Sequence, residues 1–565
     1  MPQDPEAPQK NARRALKPST IRIGKRYRQS RLDGSYDAIV IGSGIGGLTT
    51  AASLSAMGKK VIVLEQHYTA GGFTHAYSRN GYEWDVGVHY IGDVGYPTMS
   101  RKLFDFISSG NLKWAAMDEI YDRIILGDAS YDFIAGKENF AKEMKRRFPG
   151  DAKAIDKYMI MVREVNKGMR WFTLSKLMRP WQQKLFAKVG KKLFPDYFNK
   201  TTYDVLKSIT DNEALIAVLT GQWGDNGMSP KKGSFIIHCL IAKHYFNGGY
   251  YPVGGASEIA TTIIPKIQAG GGEVFTYADV EQIIIENGRA VGVRMRADGS
   301  EIRAPIVVSN AGVFNTFAKL LPQELSAKHG YLNNLKKVKR SFTNVGLFIG
   351  LKGDAKFLQL PKTNLWIYPD GNHHENIDNF MADHTKPFPV VYVSFPSAKD
   401  PSFQSRYPGR STIEIVAPAS FNAWAKWKGT VWGKRGEDYE AFREYFADRM
   451  LEALYQQMPH LRGKIDYYEA STPLSTDFFC YYDEGEIYGL DHDPLRFEQH
   501  WLQPKTSIPG LWLTGQDVLS CGVAGAMISG FLTAVQILGL KGALLAKKAL
   551  FDAPEQKGDL LVQHP

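Results

Sequence analysis

Near residue 40 the apolar and polar positions follow a strand–helix–strand pattern. Residues 37–42 (DAIVIG) and 61–65 (VIVLE) are short apolar runs rich in β-branched side chains, which is typical of parallel strands buried on both faces. Residues 48–60 (LTTAASLSAMGKK) lie between them and have the composition of a helix that ends at Gly58. This order predicts one complete βαβ unit at the start of a parallel sheet.

The later pattern separates a helical stretch from strand-rich stretches. Residues 98–249 predict mostly helix, because apolar positions recur with helical periodicity and turn clusters are few. Alternating and β-branched runs predict strands over 272–312 and again over 341–417. The Asn287-Gly288 pair predicts a hairpin turn within the first of these two stretches. A further helix is predicted over 436–458.

The composition is that of a folded chain with large cores. Hydrophobic residues make up 44% of the 565 residues and charged residues 22%, which excludes a disordered chain. Cys239, Cys480 and Cys521 are too far apart for a disulfide framework or a metal motif, which favours a reducing compartment and predicts no metal site. The sequence has no signal-peptide apolar region and no run of 18 apolar residues. We therefore expect no membrane-spanning helix and a cytoplasmic location, with peripheral contact to the membrane face as a further option.

The formal charge of +11 is concentrated in two places. Residues 1–33 carry nine Lys and Arg residues against three acids, and residues 165–195 carry eight with no acid and five aromatic side chains. No helix-turn-helix, zinc-finger or aromatic RNA-binding motif accompanies them, so nucleic acid is not expected as a partner. The second segment is compatible with an amphipathic stretch in a lipid headgroup layer or with helices whose aromatic side chains are buried while the lysines reach solvent.

The turn after the first strand carries a glycine pattern with a physical purpose. Gly42, Gly44 and Gly47 form G-x-G-x-x-G directly after a buried strand and at the start of a helix. There the first glycine makes the tight turn, the second lets backbone N–H groups approach a pyrophosphate, and the third lets helix and strand pack closely. Glu65 ends the next strand and is placed to accept hydrogen bonds from an adenosine ribose. The sequence therefore predicts a dinucleotide site.

Two further glycine clusters favour FAD over NAD as the dinucleotide. Gly71 and Gly72 follow the second strand, where a loop must pass close to a long ligand. Residues 510–530 combine a strand, the Gly515-Gln516-Asp517 turn and a glycine-rich helix start. A second helix N-terminus of this kind is expected if the cofactor has another polar end, as the isoalloxazine–ribityl half of FAD does. The sequence contains no second strand–GxGxxG–helix unit for NAD(P)H, so the electron donor or acceptor stays unassigned.

Longer motifs identify a resemblance to a known family. They are IVIGSGIGGL (39–48), VIVLEQHYTAGGFTHAYSRNGYEWDVGVHYIG (61–92), GGYYPVGGASEIA (248–260), IVVSNAGVFNT (306–316), ASTPLSTDFF (470–479) and PGLWLTGQDVLSCGVAGA (509–526). In order, they resemble the phytoene desaturase and carotenoid isomerase superfamily of FAD-dependent oxidoreductases. The GVHYIG, LEQH and GQDVLSCG stretches are most similar to the retinol saturase-like branch, whereas AGGFTH at 70–75 departs from the cysteine-containing version of animal saturases.

The resemblance implies a cofactor contact for each matching position. Gly42, Gly44 and Gly47 would contact the pyrophosphate and Glu65 the adenosine ribose. The remaining implied contacts are Gly71 and Gly72 beside the flavin, Val280 at the adenine, Gly515 and Asp517 at the ribityl–diphosphate portion, and Gly525 and Met527 at the flavin pyrimidine edge. The helix N-terminus at this last position would stabilise negative charge on a reduced flavin.

The resemblance also implies the fold class. We expect an α/β Rossmann-type FAD-binding domain of the GR2 or amine oxidase-like kind, with a discontinuous α+β substrate domain. Residues 1–35 are predicted to form a basic flexible arm. The FAD-binding domain is predicted in three parts, 36–97, 250–330 and 501–550, and the last part includes the C-terminal helix. The substrate domain is predicted in two parts, a helical and membrane-facing 98–249 and then 331–500.

Two residues are predicted to handle protons. Saturating or desaturating a C=C bond needs hydride exchange at flavin N5 and a group that gives or takes a proton. His89 and Tyr90 follow a strand and loop that should pass near the flavin, and His89 could equally be a structural histidine that packs there. Glu83 and Asp85 are predicted as turn and strand-end residues.

The sequence thus predicts an FAD-dependent oxidoreductase acting on a C=C bond of an apolar polyene or isoprenoid lipid, similar to retinol saturase. A carotenoid cis–trans isomerase or a phytoene or carotenoid desaturase is the alternative. A flavin-binding, membrane-associated protein without turnover and an amine oxidase are the remaining hypotheses. The expected partners are the lipid substrate, a membrane surface and an unassigned electron donor or acceptor.

Overall fold

The computed structural model describes residues 19–95, 98–178, 182 and 196–552. The strands, in chain order, are β1 (Lys25–Arg26), β2 (Ala38–Ile41), β3 (Val61–Leu64), β4 (Ala76–Arg79), β5 (Tyr82–Asp85), β6 (Ile91–Gly92), β7 (Trp114–Ala116), β8 (Ile120–Leu126), β9 (Ala129–Ile134), β10 (Gly249–Pro252), β11 (Glu273–Thr276), β12 (Val280–Glu286), β13 (Arg289–Met295), β14 (Glu301–Arg303), β15 (Ile306–Ser309), β16 (Thr343–Lys352), β17 (Asn364–Tyr368), β18 (Val391–Ser394), β19 (Arg410–Ala419), β20 (Ile465–Ser471) and β21 (Leu511–Leu513).

The α-helices, numbered in the same way, are α1 (Ile45–Ser55), α2 (Met99–Ile107), α3 (Lys137–Arg147), α4 (Ala152–Ser175), α5 (Thr202–Lys207), α6 (Glu213–Leu219), α7 (Phe235–Tyr245), α8 (Glu258–Ala269), α9 (Gln323–Lys328), α10 (Tyr331–Leu335), α11 (His373–Ala382), α12 (Pro396–Lys399), α13 (Phe403–Arg406), α14 (Phe421–Trp424), α15 (Glu437–Gln457), α16 (Pro473–Cys480), α17 (Pro494–Phe497), α18 (Gly522–Leu538) and α19 (Gly542–Leu550).

A six-stranded parallel sheet forms the predicted Rossmann-type layer. Its strand order is β1-β11-β3-β2-β15-β21, and each neighbouring pair runs parallel. The strands predicted near residues 37–42 and 61–65 are confirmed as β2 and β3, and all their residues are buried. The sheet also takes strands from the second and third stretches predicted for this domain. A parallel sheet needs long crossover connections, and here a whole second domain is inserted within them.

Helix α1 is buried on all sides, and its own residues (IGGLTTAASLS) are small or apolar. All eleven of its residues are buried, between the sheet, α8 and α18. At the crossing with α18, a Cβ added to Gly530 would lie 2.3 Å from the carbonyl oxygen of Gly46. The two helices therefore approach so closely that only glycine fits at this crossing. Their N-termini are brought to the same edge of the sheet.

The prediction of a flexible arm over 1–35 is wrong for the part that the structure describes. Strand β1 pairs with β11 at the edge of the parallel sheet. Tyr27, which follows it, is buried, and its hydroxyl lies 2.7 Å from Ser300 Oγ. Basic side chains suit an edge strand because they keep one side of it in water. Residues 1–18 lie outside the described residues.

A seven-stranded sheet is the centre of the second domain. Its order is β20-β16-β19-β18-β17-β8-β9, with the β17–β8 pair parallel and the other pairs antiparallel. The stretch 98–249, predicted as mostly helix, contains α2 to α7, but residues 114–134 differ from the prediction, because β8 and β9 complete this sheet and β7 pairs with β10 in a smaller one. The apolar run in IYDRIIL fits a helix and a strand equally well by periodicity, and only sheet pairing decides between them.

Two helical layers cover the seven-stranded sheet. One face packs on α15, which confirms the helix predicted over 436–458, and the other packs on α3, α4, α6 and α7. The predicted hairpin turn is also confirmed, since Asn287 and Gly288 join β12 to β13 with φ angles of +49° and +74°. The core that faces α4 and α7 is the one that holds the polar cluster described below.

One helical stretch differs from the expectation that nothing in the chain could span a membrane. Gly522–Leu550, which combines α18, a short turn and α19, is long and apolar enough to cross a bilayer by length and composition, and 44% of its apolar window is buried. Its first half packs in the core of the Rossmann-type domain through Met527, Phe531 and Ala534. A core helix passes the same test, and Ser529, Thr533 and Gln536 interrupt the apolar run that the sequence criterion requires.

Candidate active site

The glycine turn after β2 forms a cradle packed tightly against backbone. Gly42 has φ of +94°, a conformation that favours glycine. A Cβ on Gly47 would lie 2.2 Å from the Gly42 carbonyl oxygen, and one on Gly44 would lie 2.9 Å from Asn310 Nδ2. These contacts explain why the pattern needs glycine. The first turn of α1 leaves backbone N–H groups facing the space beyond the strand ends, where an anionic group can bind.

Glu65 ties the cradle to the next loop. Its Oε2 accepts hydrogen bonds from the Ser43 backbone N–H at 2.8 Å and hydroxyl at 2.7 Å, and its Oε1 accepts one from the His67 backbone N–H at 2.8 Å. Ser43 Oγ in turn accepts a hydrogen bond from the Gly71 backbone N–H at 3.0 Å. A carboxylate has about four acceptor positions, so one is left for a donor such as a ribose hydroxyl. The ribose contact itself stays a prediction.

The second glycine loop lies directly on the first. Gly71 and Gly72 have φ of +123° and +57°, so both adopt conformations that side chains disfavour. A Cβ on Gly72 would lie 2.8 Å from Gly44 Cα. The loop predicted at the pyrophosphate and the loop predicted beside the flavin are thus in contact.

The C-terminal motif closes the third side of the cradle. A Cβ on Gly46 would lie 2.7 Å from Gly515 Cα, and one on Gly515 would lie 2.4 Å from Asn310 Oδ1. Gly525 lies in the first turn of α18, where a Cβ would meet Ser520 Oγ at 2.3 Å. Two helix N-termini, those of α1 and α18, therefore border one space.

Three other predicted cofactor residues have mainly internal contacts. Asp517 is buried, and its two carboxylate oxygens accept hydrogen bonds from the backbone N–H groups of Val313 at 2.8 Å and Leu490 at 3.2 Å. Met527 is fully buried in the core beneath α18. Val280 begins β12 and is buried near the end of β3. Their roles toward a cofactor stay predictions.

A polar row crosses the apolar face of the seven-stranded sheet. Asp122 on β8 pairs in register with Asn364 on β17, and Ser394 on β18 pairs with Glu414 on β19. The β17–β18 pairing brings the two pairs side by side, so the four residues lie next to one another across four strands. All four are buried. We call these four residues the polar row.

The next row along the same face is apolar and aromatic. It consists of Ile124, Trp366, Tyr392 and Val416, paired across the same four strands. Trp366 and Tyr392 have ring centroids 4.5 Å apart. The two rings are tilted by 55° to each other, and the row is buried apart from Val416, which is half-buried. An apolar, aromatic surface therefore lies directly beside the polar row.

Lys399 connects the polar row to the loop that carries His89. Its Nζ donates hydrogen bonds to the His89 carbonyl oxygen at 2.9 Å and to Ser394 Oγ at 2.8 Å, and it also contacts Asn364 Oδ1. Burial lowers the pKa of Lys399 to about 7, although the charge of Glu414 opposes this shift. The lysine is therefore close to its titration point at neutral pH.

His89 is held by a buried carboxyl group. Its Nδ1 lies 2.9 Å from Glu414 Oε2, while Glu414 Oε1 accepts a hydrogen bond from the Asp85 backbone N–H at 2.6 Å. Burial raises the pKa of Glu414 to about 8, and burial together with the Lys399 charge lowers the pKa of His89 to about 3. The contact is then a neutral hydrogen bond in which Glu414 donates, rather than an ion pair. This leaves the His89 Nε2–H as a donor to a ligand.

Tyr90 lies at the other end of the polar row. Its hydroxyl donates to Asp122 Oδ2 at 2.8 Å and lies 3.4 Å from Asp225 Oδ2. Its ring stacks on Tyr245 with centroids 4.2 Å apart. The Gln222 amide also donates to Asp122 Oδ2, at 2.6 Å. His89 and Tyr90, adjacent in sequence, thus point to opposite ends of the same row.

Asp85 and Glu83, which precede His89 in the chain, form contacts within the protein. Asp85 accepts a hydrogen bond from the Ala256 backbone N–H at 2.9 Å and contacts the Tyr251 hydroxyl. Glu83 forms an ion pair with Arg406 at 2.6 Å. These contacts agree with the expectation that both acids are structural. Within the described residues, no group of three or more His, Cys, Asp or Glu side chains is arranged to hold a metal ion.

Sequence reasoning did not find Asp122, Asp225, Lys399 or Glu414. Each stands alone in its segment, with no motif around it. The available signal was a charged residue inside an apolar strand, as in STIEIVA around Glu414, because a buried charge is rare without a partner. Asn310 had a signal too, since it lies in a motif that carried the family resemblance.

Comparisons with known proteins agree with this architecture. Residues 40–107 match the family model described as an NAD(P)-binding Rossmann-like domain. The chain is 36% identical to an all-trans-retinol 13,14-reductase of Danio rerio, over 93% of this chain and 89% of that one, and 35% identical to the human protein of the same name, over 91% and 87%. It is also 31% identical to an inactive all-trans-retinol 13,14-reductase of Danio rerio, over 91% and 88%.

Two solved structures share the fold at low sequence identity. An oxidoreductase from Methanosarcina mazei has a TM-score of 0.55 and 18% identity, covering 87% of this chain and 98% of its own. Putrescine oxidase bound to putrescine has a TM-score of 0.59 and 14% identity, covering 89% and 99%. These similarities establish a Rossmann-type oxidoreductase fold with a second domain.

Proposed function

This chain belongs to the family of the all-trans-retinol 13,14-reductases, and on that premise we propose that it is an FAD-dependent oxidoreductase acting on a C=C bond of an apolar polyene or isoprenoid lipid. We propose saturation as the direction, as the names of these relatives indicate. Isomerisation is the second choice, because prolycopene isomerases are related more distantly, at 28% identity for the protein from Daucus carota.

One observation carries this proposal: a chain of contacts through Tyr90 and Asp225 links the Asp122 end of the polar row to the start of α18, which borders the glycine cradle. Cys521, the residue before that helix, has its sulfur 3.7 Å from the Asp225 carbonyl oxygen, and Asp225 neighbours Tyr90. A cofactor held in the cradle would therefore have one end near these proton donors and the apolar, aromatic row beside them. Reduction of an apolar C=C bond requires these parts together.

The residues of the cradle fit FAD as the dinucleotide. Three glycine loops pack so closely that no side chain could replace them, and two helix N-termini border the same space. The turn at Gly42 would hold the pyrophosphate, Glu65 the ribose, and the first turn of α18 the flavin end. FAD, when bound, supplies hydride exchange at flavin N5.

The chain itself would bind and orient the substrate and handle protons. The row of Ile124, Trp366 and Tyr392 would bind the polyene and keep water from the site. His89, through Nε2–H, and the Tyr90 hydroxyl would be the polar groups nearest a bound polyene. Burial keeps His89 neutral, so it would act as a hydrogen-bond donor rather than as a cation.

A flavin-holding protein without turnover is the second candidate, and the inactive relative favours it. A member of this family is expected to share the fold and the glycine cradle, but family membership alone does not establish that it turns over a substrate. The two candidates differ in one measurable respect. An enzyme would transfer reducing equivalents from its flavin to a lipid, whereas a holder would bind flavin that no lipid oxidises.

The test is an anaerobic reaction of the reduced holoprotein with all-trans-retinol and with a carotene, followed by mass spectrometry. Saturation adds two hydrogens to the substrate, desaturation removes two, and isomerisation leaves the mass unchanged with a new chromatographic peak. Purified protein without flavin absorbance that binds no added FAD would overturn the proposal. Bound flavin that no polyene reoxidises would favour the holder.

We further propose that an exposed apolar surface contacts an anionic membrane. We call this surface the docking face. It consists of five exposed apolar residues: Trp171 (52% exposed), Leu174 (47%), Leu540 (100%), Leu544 (49%) and Phe551 (79%). The end of α4 lies against the end of α18, where the Gln536 amide donates to the Lys176 carbonyl oxygen at 2.9 Å, and α19 follows α18 after a short turn. Lys541, Lys547 and Lys548 are exposed along the same helix. Apolar side chains flanked by lysines suit an anionic headgroup layer.

The docking face only partly overlaps the membrane segment predicted from sequence. Trp171 and Leu174 belong to the predicted segment 165–195, and residues 179–181 and 183–195 of that segment lie outside the described residues. The larger part of the face comes from the C-terminal helix. A lipid substrate has to be taken from a membrane, which is why a docking face accompanies the proposed function.

A further inference from the structure

A half-buried acid lies where the two domains meet. Asp225 ends a short 3₁₀ turn (Trp223–Asp225), and its carbonyl oxygen lies 3.7 Å from Cys521 Sγ, at the start of α18. Its carboxyl group has one hydrogen-bond partner among the described residues, the Tyr90 hydroxyl at 3.4 Å. Asp225 therefore neighbours the helix whose first turn borders the glycine cradle. A carboxylate with so few donors is poorly solvated.

The hydrogen bonds around Tyr90 fix which acid carries a proton. Tyr90 has one hydroxyl hydrogen, and its shorter contact, 2.8 Å, is to Asp122. Asp122 also accepts from Gln222 at 2.6 Å and Asn364 at 2.9 Å. Burial raises the pKa of Asp122, and its three donors oppose that shift, whereas the pKa of Asp225 is raised well above its ordinary value, so Asp122 is the easier of the two to ionise. The Tyr90 oxygen can then accept, from the Gln222 amide at 3.5 Å and from a protonated Asp225 at 3.4 Å.

The charges around Asp225 favour the same assignment. The groups that face it are Asp122 on β8, Tyr245 on α7, Tyr368 on β17, Tyr392 on β18, and Tyr90, Tyr488 and Cys521 on adjoining loops. They contribute one negative charge and no positive charge. Burial, followed by the Asp122 charge, raises the pKa of Asp225 well above its ordinary value. Two neighbouring acids whose environments differ in this way commonly divide into a proton donor and a permanent carboxylate.

We propose that Asp225 is a catalytic residue that, in its protonated form, delivers the proton to the polyene carbon. This inference rests on the proposed function. The reduced flavin, held in the cradle, would supply a hydride with its electron pair to one alkene carbon. The π electrons of the C=C bond would form the second C–H bond as the Asp225 O–H bond breaks, which leaves Asp225 as a carboxylate. One reduced flavin is consumed for each double bond saturated.

Tyr90 and Asp122 are positioning residues in this scheme. Tyr90 holds the Asp225 carboxyl group through its oxygen, and Asp122 fixes the direction of the Tyr90 hydroxyl. Solvent protonates Asp225 again after the product leaves. His89, through its Nε2–H, is the alternative proton donor to Asp225. Its partner Glu414 lies at the opposite end of the polar row from Asp122.

The test compares wild-type holoprotein with Asp225→Asn, using His89→Gln as the competing variant. The control is Asp211→Asn, at a position whose side chain is 96% exposed. All variants are first checked for flavin absorbance. Infrared spectra in H₂O and D₂O then report protonated carboxyl groups, and single-turnover reduction of all-trans-retinol reports the chemical step.

The expected result is that Asp225→Asn loses a deuterium-sensitive carboxylic C=O band and reduces the polyene at least about a hundredfold more slowly, since a general acid typically contributes that much or more. The Asp211→Asn control keeps the carboxylic C=O band and the wild-type reduction rate. An unchanged band, or a reduction rate within about threefold of wild type, overturns the inference. Failure of wild type itself to reduce any polyene overturns the proposed function as well, so the two failures are distinguishable.

A second readout does not depend on turnover. The pKa of Asp225 is higher in the folded protein than in the unfolded chain, where it is near 3.8. The folded state therefore holds the proton more tightly, and this group makes wild type lose stability as pH rises above that value. Asp225→Asn should be more stable than wild type at pH 8, with a difference that shrinks toward pH 4. Equal stability at both pH values would also count against a protonated Asp225.

Discussion

At the scale of single residues, the polar row is costly unless every member is satisfied. A buried charge without partners is destabilising by several kcal/mol. Here Asp122 accepts from three donors and Lys399 donates to three acceptors. Glu414 avoids the cost differently, by staying protonated. Neighbouring titratable groups of which one stays protonated and another stays ionised are characteristic of sites that transfer protons.

The first prediction concerns Glu414 and the pH dependence of stability. Its pKa is about 8 in the folded protein against an ordinary 4.5, so the folded state binds a proton that the unfolded state has lost between these values. Stability contributed by this group is present below pH 4.5 and is lost as pH rises to 8. Glu414→Gln should remove most of that decline, a few kcal/mol at roughly 1.4 kcal/mol per pKa unit. Urea denaturation at pH 5 and pH 8 measures it.

Lys399 supplies an internal check on this prediction. Its pKa is lowered to about 7 from 10.5, so the unfolded state binds the extra proton between these values, and its contribution to stability rises over that range. Lys399→Met should therefore flatten the pH dependence above pH 7 and leave the lower range largely intact. Glu281→Gln, at an exposed position, serves as the control. An unchanged decline in Glu414→Gln would show that Glu414 is ionised at pH 7.

At the scale of elements, the segment of α18 and α19 has three parts with different surroundings. Its first turn borders the cradle, its middle packs on α1 in the core, and its end carries exposed leucines between lysines. This division explains why the segment is apolar enough to resemble a membrane span. The core accounts for the first half, and the docking face accounts for the second.

The second prediction tests the docking face. Leu540→Glu combined with Leu544→Glu should reduce binding to vesicles that contain phosphatidylserine by at least about tenfold, because burying one leucine contributes about 1.5–3 kcal/mol and the new acids are repelled by the headgroups. Co-sedimentation at low and high salt measures the effect. The holoprotein should keep its flavin absorbance.

Phe357→Glu is the matched control for this variant. Phe357 is 69% exposed and lies beside the seven-stranded sheet, away from α19. It should leave vesicle binding unchanged. Equal vesicle binding by wild type and the double variant would contradict the proposed docking face. Equal binding of wild type to neutral and anionic vesicles would contradict the proposed role of the lysines.

At the scale of the whole molecule, both domains are assembled from separate stretches of the chain. The parallel sheet joins β2 and β3 to β15 and β21, and the second sheet joins β8 to β17. A ligand in the cradle would contact loops from all three stretches predicted for the first domain. Its binding should therefore stabilise the entire fold rather than one local element.

The third prediction follows from this long-range assembly. FAD at a hundredfold excess over its Kd should stabilise the protein by about 2.7 kcal/mol, whereas NAD should have little effect. Gly47→Ala should lose the FAD effect, because its Cβ would lie 2.2 Å from the Gly42 carbonyl oxygen. Differential scanning fluorimetry of protein stripped of flavin measures both.

Gly150→Ala is the control, since a Cβ there meets nothing within 4 Å. It should bind FAD as wild type does. Stabilisation by NAD but not by FAD would show that the cradle holds a nicotinamide dinucleotide. A Gly47→Ala protein that still responds fully to FAD would show that the turn is not part of the site.

The sequence by itself determined the features that local spacing encodes. The glycine turn at Gly42, the strands β2 and β3, the hairpin at Asn287 and helix α15 all follow from short-range periodicity and backbone conformation, and all were predicted correctly. Periodicity could not decide between helix and strand for β8, because that choice depends on pairing with a strand far along the chain. The edge strand β1 was missed for the same reason.

The tertiary structure alone decided the chemistry of the second domain. The polar row combines residues from four strands that are distant in sequence, and only the register of those strands makes them neighbours. Alternation along each strand shows which face a side chain takes, but not what lies beside it. The proton positions on Asp225, Glu414 and His89 depend on burial and on that neighbourhood, which no local pattern records.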